Sequence, residues 1–111
     1  MPLLNISTNK KIKNEQILLL KSSEFISSLL NKPENFVMVK LIDSLKMCFS
    51  GNNEPCCFIE IKSIGSIEPS EMSKPICNFF SNELDIPNER IYIFYHDVDP
   101  KMWAWNGRTF G

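Results

Sequence analysis

Pro2, directly behind the initiator methionine, offers the most unusual chemistry in this chain. A small residue at that position ordinarily lets the methionine be removed, and Pro2 would then open the chain with a free secondary amine. An α-amino group titrates at about pH 7.7–8.0, and burial beside cations lowers that value. Such a group suits general acid–base catalysis, which works best when the catalytic pKa lies near the operating pH. Proline's fixed φ and missing N–H make it a poor opening for an edge strand, unless its nitrogen has another task. Other reactive residues are sparse. His96 is the only histidine, and Cys48, Cys56, Cys57 and Cys77 lack the spacing of a metal site. Adjacent strand residues point to opposite faces, so Cys56 and Cys57 are poorly placed to close a disulfide. All four cysteines read as small buried hydrophobes.

The composition fits one domain over residues 1–111. Twelve basic and 13 acidic residues leave a net charge of −1, and no basic stripe is present to neutralise phosphates, which argues against nucleic acid. No apolar run approaches the roughly 20 residues needed to cross a bilayer, so membrane insertion is not expected. The amino end has neither a charged n-region nor an apolar h-region, which points to a cytoplasmic chain with reduced thiols.

The elements that must position Pro2 follow from periodicity. Residues 3–8 read as a strand. Asn14 suits a helix N-cap, and Leu18, Leu19, Phe25, Ile26, Leu29 and Leu30 share one helical face with Ser22 as its small member. Pro33 ends that helix. Residues 36–42 read as a buried strand, 45–50 as a short second strand, 51–55 as a loop, and 56–64 as a strand with one wetter face. A second stripe, Met72, Ile76, Phe79, Phe80 and Leu84, marks a helix. Proline costs about 3 kcal/mol in a helix interior, so Pro75 places the start at Ser73, or bends a helix that begins earlier. Residues 90–96 form the last long strand, before a short aromatic tail. The stretch 32–39 lies over 86–93 at a period of about 54 residues. The expectation is an α+β fold: two β-α-β repeats form one four-stranded sheet with two helices on one face, plus short extra strands. Phe58, Phe94, Leu4 and Met38 cannot all lie beneath two helices, so the uncovered face should meet further copies of the chain.

With these elements in place, the chain resembles the macrophage migration inhibitory factor family of the tautomerase superfamily. The matching residues are Pro2, Thr8-Asn9, Lys32-Pro33, Met47-Cys48-Phe49-Ser50-Gly51, Glu54-Pro55-Cys56 and Ser63-Ile64-Gly65. Arg90-Ile91-Tyr92-Ile93, Trp105-Asn106 and Thr109-Phe110-Gly111 complete the set. The resemblance implies a homotrimer and a cofactor-independent keto–enol tautomerase acting on a small aromatic α-keto acid, with Pro2 as the base. It implies that Lys32 lowers the Pro2 pKa and pairs with the substrate carboxylate, helped by the Ile64 N–H within Ser63-Ile64-Gly65. Lys62 adds a second cation where many relatives have histidine. Phe36, Tyr92, Phe94, Trp103 and Phe110 fall at or near pocket positions, some donated by a neighbouring protomer. Phe36, Phe94 and Trp103 replace a tyrosine, an asparagine and a smaller aliphatic residue. That implies weaker discrimination for a para-hydroxyl group. The family's Cys-x-x-Cys exchange motif is broken, since Ile59 stands three residues after Cys56.

Plainer readings compete with each of these. Lys32 also suits a helix C-terminus, Tyr92 a strand core, His96 the surface, and the Trp103/Trp105 pair an interface or tail packing as well as a pocket wall. The rival function is a secreted, cytokine-like protein that engages a cell-surface receptor and leaves the cell without a signal peptide, with the pocket kept for binding.

Overall fold

The computed structural model describes residues 1–111. Six strands and two α-helices are present: β1 Leu3–Thr8, α1 Glu15–Leu30, β2 Met38–Ile42, β3 Cys57–Ser63, α2 Pro69–Leu84, β4 Ile91–Asp97, β5 Ala104–Trp105 and β6 Arg108–Thr109. The first four long strands make one sheet in the order β2-β1-β3-β4. β1 runs parallel to β2, β3 parallel to β4, and the two central strands are antiparallel. Each helix is the crossover of a β-α-β unit, and both pack on the same face. β5 and β6 form a separate hairpin. Neither helix is long and apolar enough to cross a membrane.

The internal repeat extends to single hydrogen bonds. Leu18, Ser22, Ile26 and Leu30 of α1 are buried, as are Met72, Ile76, Phe80 and Leu84 of α2, each pair about 54 residues apart. Both helices end on a left-handed residue, Asn31 and Asp85. In both, a serine hydroxyl donates to the carbonyl just past the cap at 2.6 Å: Ser27 to Lys32 and Ser81 to Ile86. Each helix is followed by a proline and a 3-10 turn, Glu34–Phe36 and Asn88–Arg90. The equivalent rings Phe25 and Phe79 stack at 4.1 Å where the helices meet. The halves are therefore related by a pseudo-twofold axis through the middle of the layer.

Alternation along the strands divides the sheet cleanly. Leu4 and Ile6 of β1, Ile59 and Ile61 of β3, and Ile91 of β4 are buried beneath the helices. Burying each such side chain stabilises the fold by roughly 1.5–3 kcal/mol. The opposite face is open. Strand register sets three rows across it: Met38–Leu3–Lys62–His96, Lys40–Asn5–Glu60–Phe94 and Ile42–Ser7–Phe58–Tyr92. Of the four apolar residues expected to overfill the helix side, Leu4 lies under the helices, while Phe58, Phe94 and Met38 face away.

Three expectations about elements need correction. Residues 36–42 are not one buried strand: Phe36 closes a 3-10 turn, and β2, at the sheet edge, is covered on one face only. Residues 45–50 are not a strand. The Ser44 N–H donates to Lys10 O and the Leu45 N–H to Thr8 O, which carries the chain across the end of β1. A single bridge, Phe49 to Asn52, then closes a turn on left-handed Ser50 and Gly51. Helix α2 begins at Pro69, four residues before Ser73, and contains Pro75 as its seventh residue. Pro69 occupies the first turn, where a missing N–H costs nothing. The carbonyl that Pro75 cannot bond belongs to exposed Glu71, where water can serve it.

Candidate active site

Pro2 is fully buried at the start of β1, and its carbonyl accepts from the Met38 N–H at 3.0 Å. This bond pins the amino end against β2. Beside it lies a cavity of about 490 Å³, walled by Met1, Pro2, Leu3, Phe36, Met38, Lys62, Met102, Trp103, Trp105 and Phe110, among others. Its side chains with hydrogen-bonding groups are Asn35, Lys62 and the indole N–H groups of Trp103 and Trp105. The tail builds much of the wall. Asp99 caps the 3-10 turn Pro100–Met102 through a 3.0 Å bond to the Lys101 N–H. Left-handed Asn106 and Gly107 then reverse the chain, and the Phe110 N–H donates to Trp103 O at 3.0 Å. Trp105 is thereby set edge-on to Phe36, with ring centroids 5.3 Å apart.

A second, smaller chamber of about 300 Å³ shares Met1, Phe36 and Phe110 with the first and adds Lys32, Pro33, Ile64 and Pro100. Lys32 follows the α1 cap, and its Nζ donates to the Ile64 carbonyl at 3.1 Å. The loop after β3 is held by the Gly65 N–H, which donates to Asp97 Oδ1 at 3.0 Å, with Gly65 at φ +74°. The Ile64 N–H makes no hydrogen bond within the chain, so a donor stays free beside the lysine. The amine that ends the chain here is that of Met1. Burial first, and the Lys32 ammonium second, push it below its ordinary value.

The structure thus brings together Pro2, Lys62, Phe36, Trp103 and Phe110 around one chamber, and Lys32 and Ile64 around the other. Ser63 stands apart: its side chain is buried on the helix side with no partner for its hydroxyl, and its backbone belongs to the β3–β4 ladder, its carbonyl accepting from the Val98 N–H at 2.8 Å. Tyr92 and Phe94 do not reach either chamber of their own chain. They lie on the open sheet face, 62% and 47% exposed, with Tyr92 edge-on to Phe49 and Phe94 against His96. Sequence reasoning understated Trp105 and passed over Met38 and Met102. The alternation of β2, with Met38 in register with Leu3, was the available signal for the former.

The cysteines need one correction. Cys56 and Cys57 are buried, but Cys77 is only partly covered and Cys48 is exposed. Cys48 lies in the 45–50 segment that proved to be a surface turn. The Cys57 thiol is pushed up to about 12 by burial and by its thiol neighbours Cys56 and Cys77. That direction opposes thiolate chemistry.

The pseudo-twofold axis gives the cavity wall a counterpart at the other end of the sheet, with a cation where the cavity has a ring. Arg90 occupies the position equivalent to Phe36. It donates to Pro55 O at 2.8 Å and Glu54 O at 3.0 Å, and its guanidinium lies 5.2 Å from the Phe49 ring centroid. Phe49 precedes its turn as Trp105 precedes the second hairpin. One half of the repeat carries the aromatic cavity, and at the matching place the other carries an arginine tied to backbone carbonyls.

Comparison with known proteins agrees with this architecture. The family model described as macrophage migration inhibitory factor (MIF) matches residues 1–111. The macrophage migration inhibitory factor homolog of Brugia malayi is 32% identical, and the alignment covers 100% of both chains. The Mus musculus macrophage migration inhibitory factor is 31% identical over 99% of both. Among solved structures, the Prochlorococcus marinus homologue superposes with a TM-score of 0.90 at 41% identity, covering 98% of this chain and 99% of that one. The Trichinella spiralis protein gives 0.88 at 30%, covering 97% and 99%.

Proposed function

The chain belongs to the macrophage migration inhibitory factor family, and from that premise we propose that it is a cofactor-independent keto–enol tautomerase of small aromatic α-keto acids. The catalytic species is the chain from which Met1 has been removed, since Pro2 is an amide while Met1 remains. As a free amine, Pro2 takes the proton from the carbon beside the keto group and gives one to the enolate oxygen, or runs the reverse. Lys32 and the Ile64 N–H bind the carboxylate and the developing enolate charge, as positioned donors in a partly dry site do in general. Phe36, Trp103, Trp105 and Phe110 receive the aromatic ring. Lys62 supplies a second cation at the cavity wall.

The observation that carries this reading is geometric: Pro2 is fully buried in the cavity wall, and Lys32 stands in the adjoining chamber beside Met1, whose amine burial first and Lys32 second push down. A base active near neutrality needs that environment. The open sheet face supports a homotrimer, in which Tyr92 and Phe94 of one copy would complete the cavity of the next. Steady-state turnover of enolised phenylpyruvate by protein with a verified Pro2 terminus is the test. Protein that lacks Met1, is folded, and gives no rate above buffer would end the proposal.

The names of the relatives carry a second reading, a secreted cytokine-like protein whose cavity serves a receptor. It predicts receptor binding by a protein that shows no turnover, and loss of that binding in Pro2→Gly.

A further inference from the structure

The open sheet face carries a charged cluster that adjoins the aromatic cavity. Lys62 lines the cavity, and on the same face two residues earlier stands Glu60. Asn5 Nδ2 donates to Glu60 Oε1 at 3.2 Å. Glu60 Oε2 lies 3.9 Å from Lys62 Nζ and 3.7 Å from His96 Nε2. His96 is in register with Lys62 on the neighbouring strand. Two other charged groups border this face: Lys40 of β2, across Asn5 from Glu60, and Arg90 at its far end, over the Phe49 ring that packs on Tyr92.

We propose that Glu60 is a positioning residue that holds Lys62 away from anions in the cavity, and that His96 governs this hold through its charge. The proposal rests on the aromatic keto-acid reading above and deepens it by naming what sets the affinity for the anionic end of the ligand. With a neutral imidazole, the Glu60 carboxylate pairs with Lys62 and competes with a ligand carboxylate for it. An imidazolium takes up part of the Glu60 charge, and Lys62 becomes available to the ligand. Histidine changes charge between about pH 5 and 8, so affinity for an anion rises as pH falls through that range. A partly exposed ion pair sets the scale at about 2–5-fold.

Calorimetry with 3-phenylpropanoate, an unreactive aryl carboxylate, and with its neutral amide tests this at pH 8 and pH 5.5, alongside kcat and KM for phenylpyruvate. At pH 8, Glu60→Gln should tighten the carboxylate and lower KM by about 2–5-fold, with kcat and amide affinity unchanged. Glu60→Asp should behave as the native chain. His96→Gln should reduce the gain between pH 8 and 5.5 by the same factor, the remainder belonging to the terminal amine. Glu60→Gln that binds no tighter, or that tightens equally in a Lys62→Met background or towards the amide, overturns the proposal. Binding is read apart from turnover, so a protein that follows this pattern without turning over substrate loses the isomerase reading alone. One that binds no aryl carboxylate loses both.

Discussion

In the proposed reaction Pro2, Lys32 and Phe36 carry separable parts, and each makes its own prediction. Replacing Pro2 by glycine keeps an amino terminus but changes the base and its packing, and turnover should fall by about 10²-fold or more, the range for a general acid–base group. Lys32 acts through charge. It is the second cause, after burial, that lowers the Met1 amine; if it acts in the same way on a Pro2 amine, the unprotonated form persists to lower pH in the native chain than in Lys32→Gln. The acid limb of kcat/KM should therefore move to higher pH in the variant, while staying below that of an exposed amine, since burial is the larger cause. A limb that does not move would remove Lys32 from this role. Phe36 faces Trp105 in a cavity whose polar groups are few. A para-hydroxyl on the substrate gains little there, so 4-hydroxyphenylpyruvate should turn over no better than phenylpyruvate. Phe36→Tyr should raise its relative rate, as read from the ratio of kcat/KM values.

At the scale of elements, both helices were legible because their buried stripes recur every four residues and end in proline-marked turns. Residues 45–50 were not, because Leu45, Met47 and Phe49 alternate like a strand while the deciding feature is backbone: left-handed Ser44 and Ser50, and bonds to the end of β1. Pro75 misled in the other direction. A rule that excludes proline from helix interiors gives way where the orphaned carbonyl is exposed and the stripe through Met72 and Ile76 gains from continuity. Pro75→Ala should consequently stabilise α2, by up to about 3 kcal/mol, measured as a higher denaturant midpoint at unchanged slope. Phe80→Ala, at the fully buried centre of the same stripe, should cost about 3–5 kcal/mol.

The whole molecule is a duplicated unit with an aromatic cavity in one half. The period of about 54 residues was visible in sequence, and the pseudo-twofold axis with its stacked Phe25 and Phe79 follows from it. Which half would carry the cavity was not visible, since that depends on where side chains such as Arg90 lie, and spacing says nothing of it. The same limit applies to Tyr92 and Phe94. Their residue types suit a pocket, but strand alternation turns them to the open face, where only another copy can use them. Sedimentation should accordingly find a three-chain particle, and Phe94→Glu should both shift it towards monomer and lower turnover. Loss of one without the other would separate assembly from catalysis.

Most direct of all is the pH dependence of phenylpyruvate tautomerisation by two preparations that differ only in Met1, each with its terminus verified by mass spectrometry. The chain beginning at Pro2 should show an acid limb below the ordinary range of an α-amine, and the chain retaining Met1 should be slower by about 10²-fold or more. Equal rates from both, or a limb at the position of an exposed amine, would contradict a catalytic role for the Pro2 nitrogen.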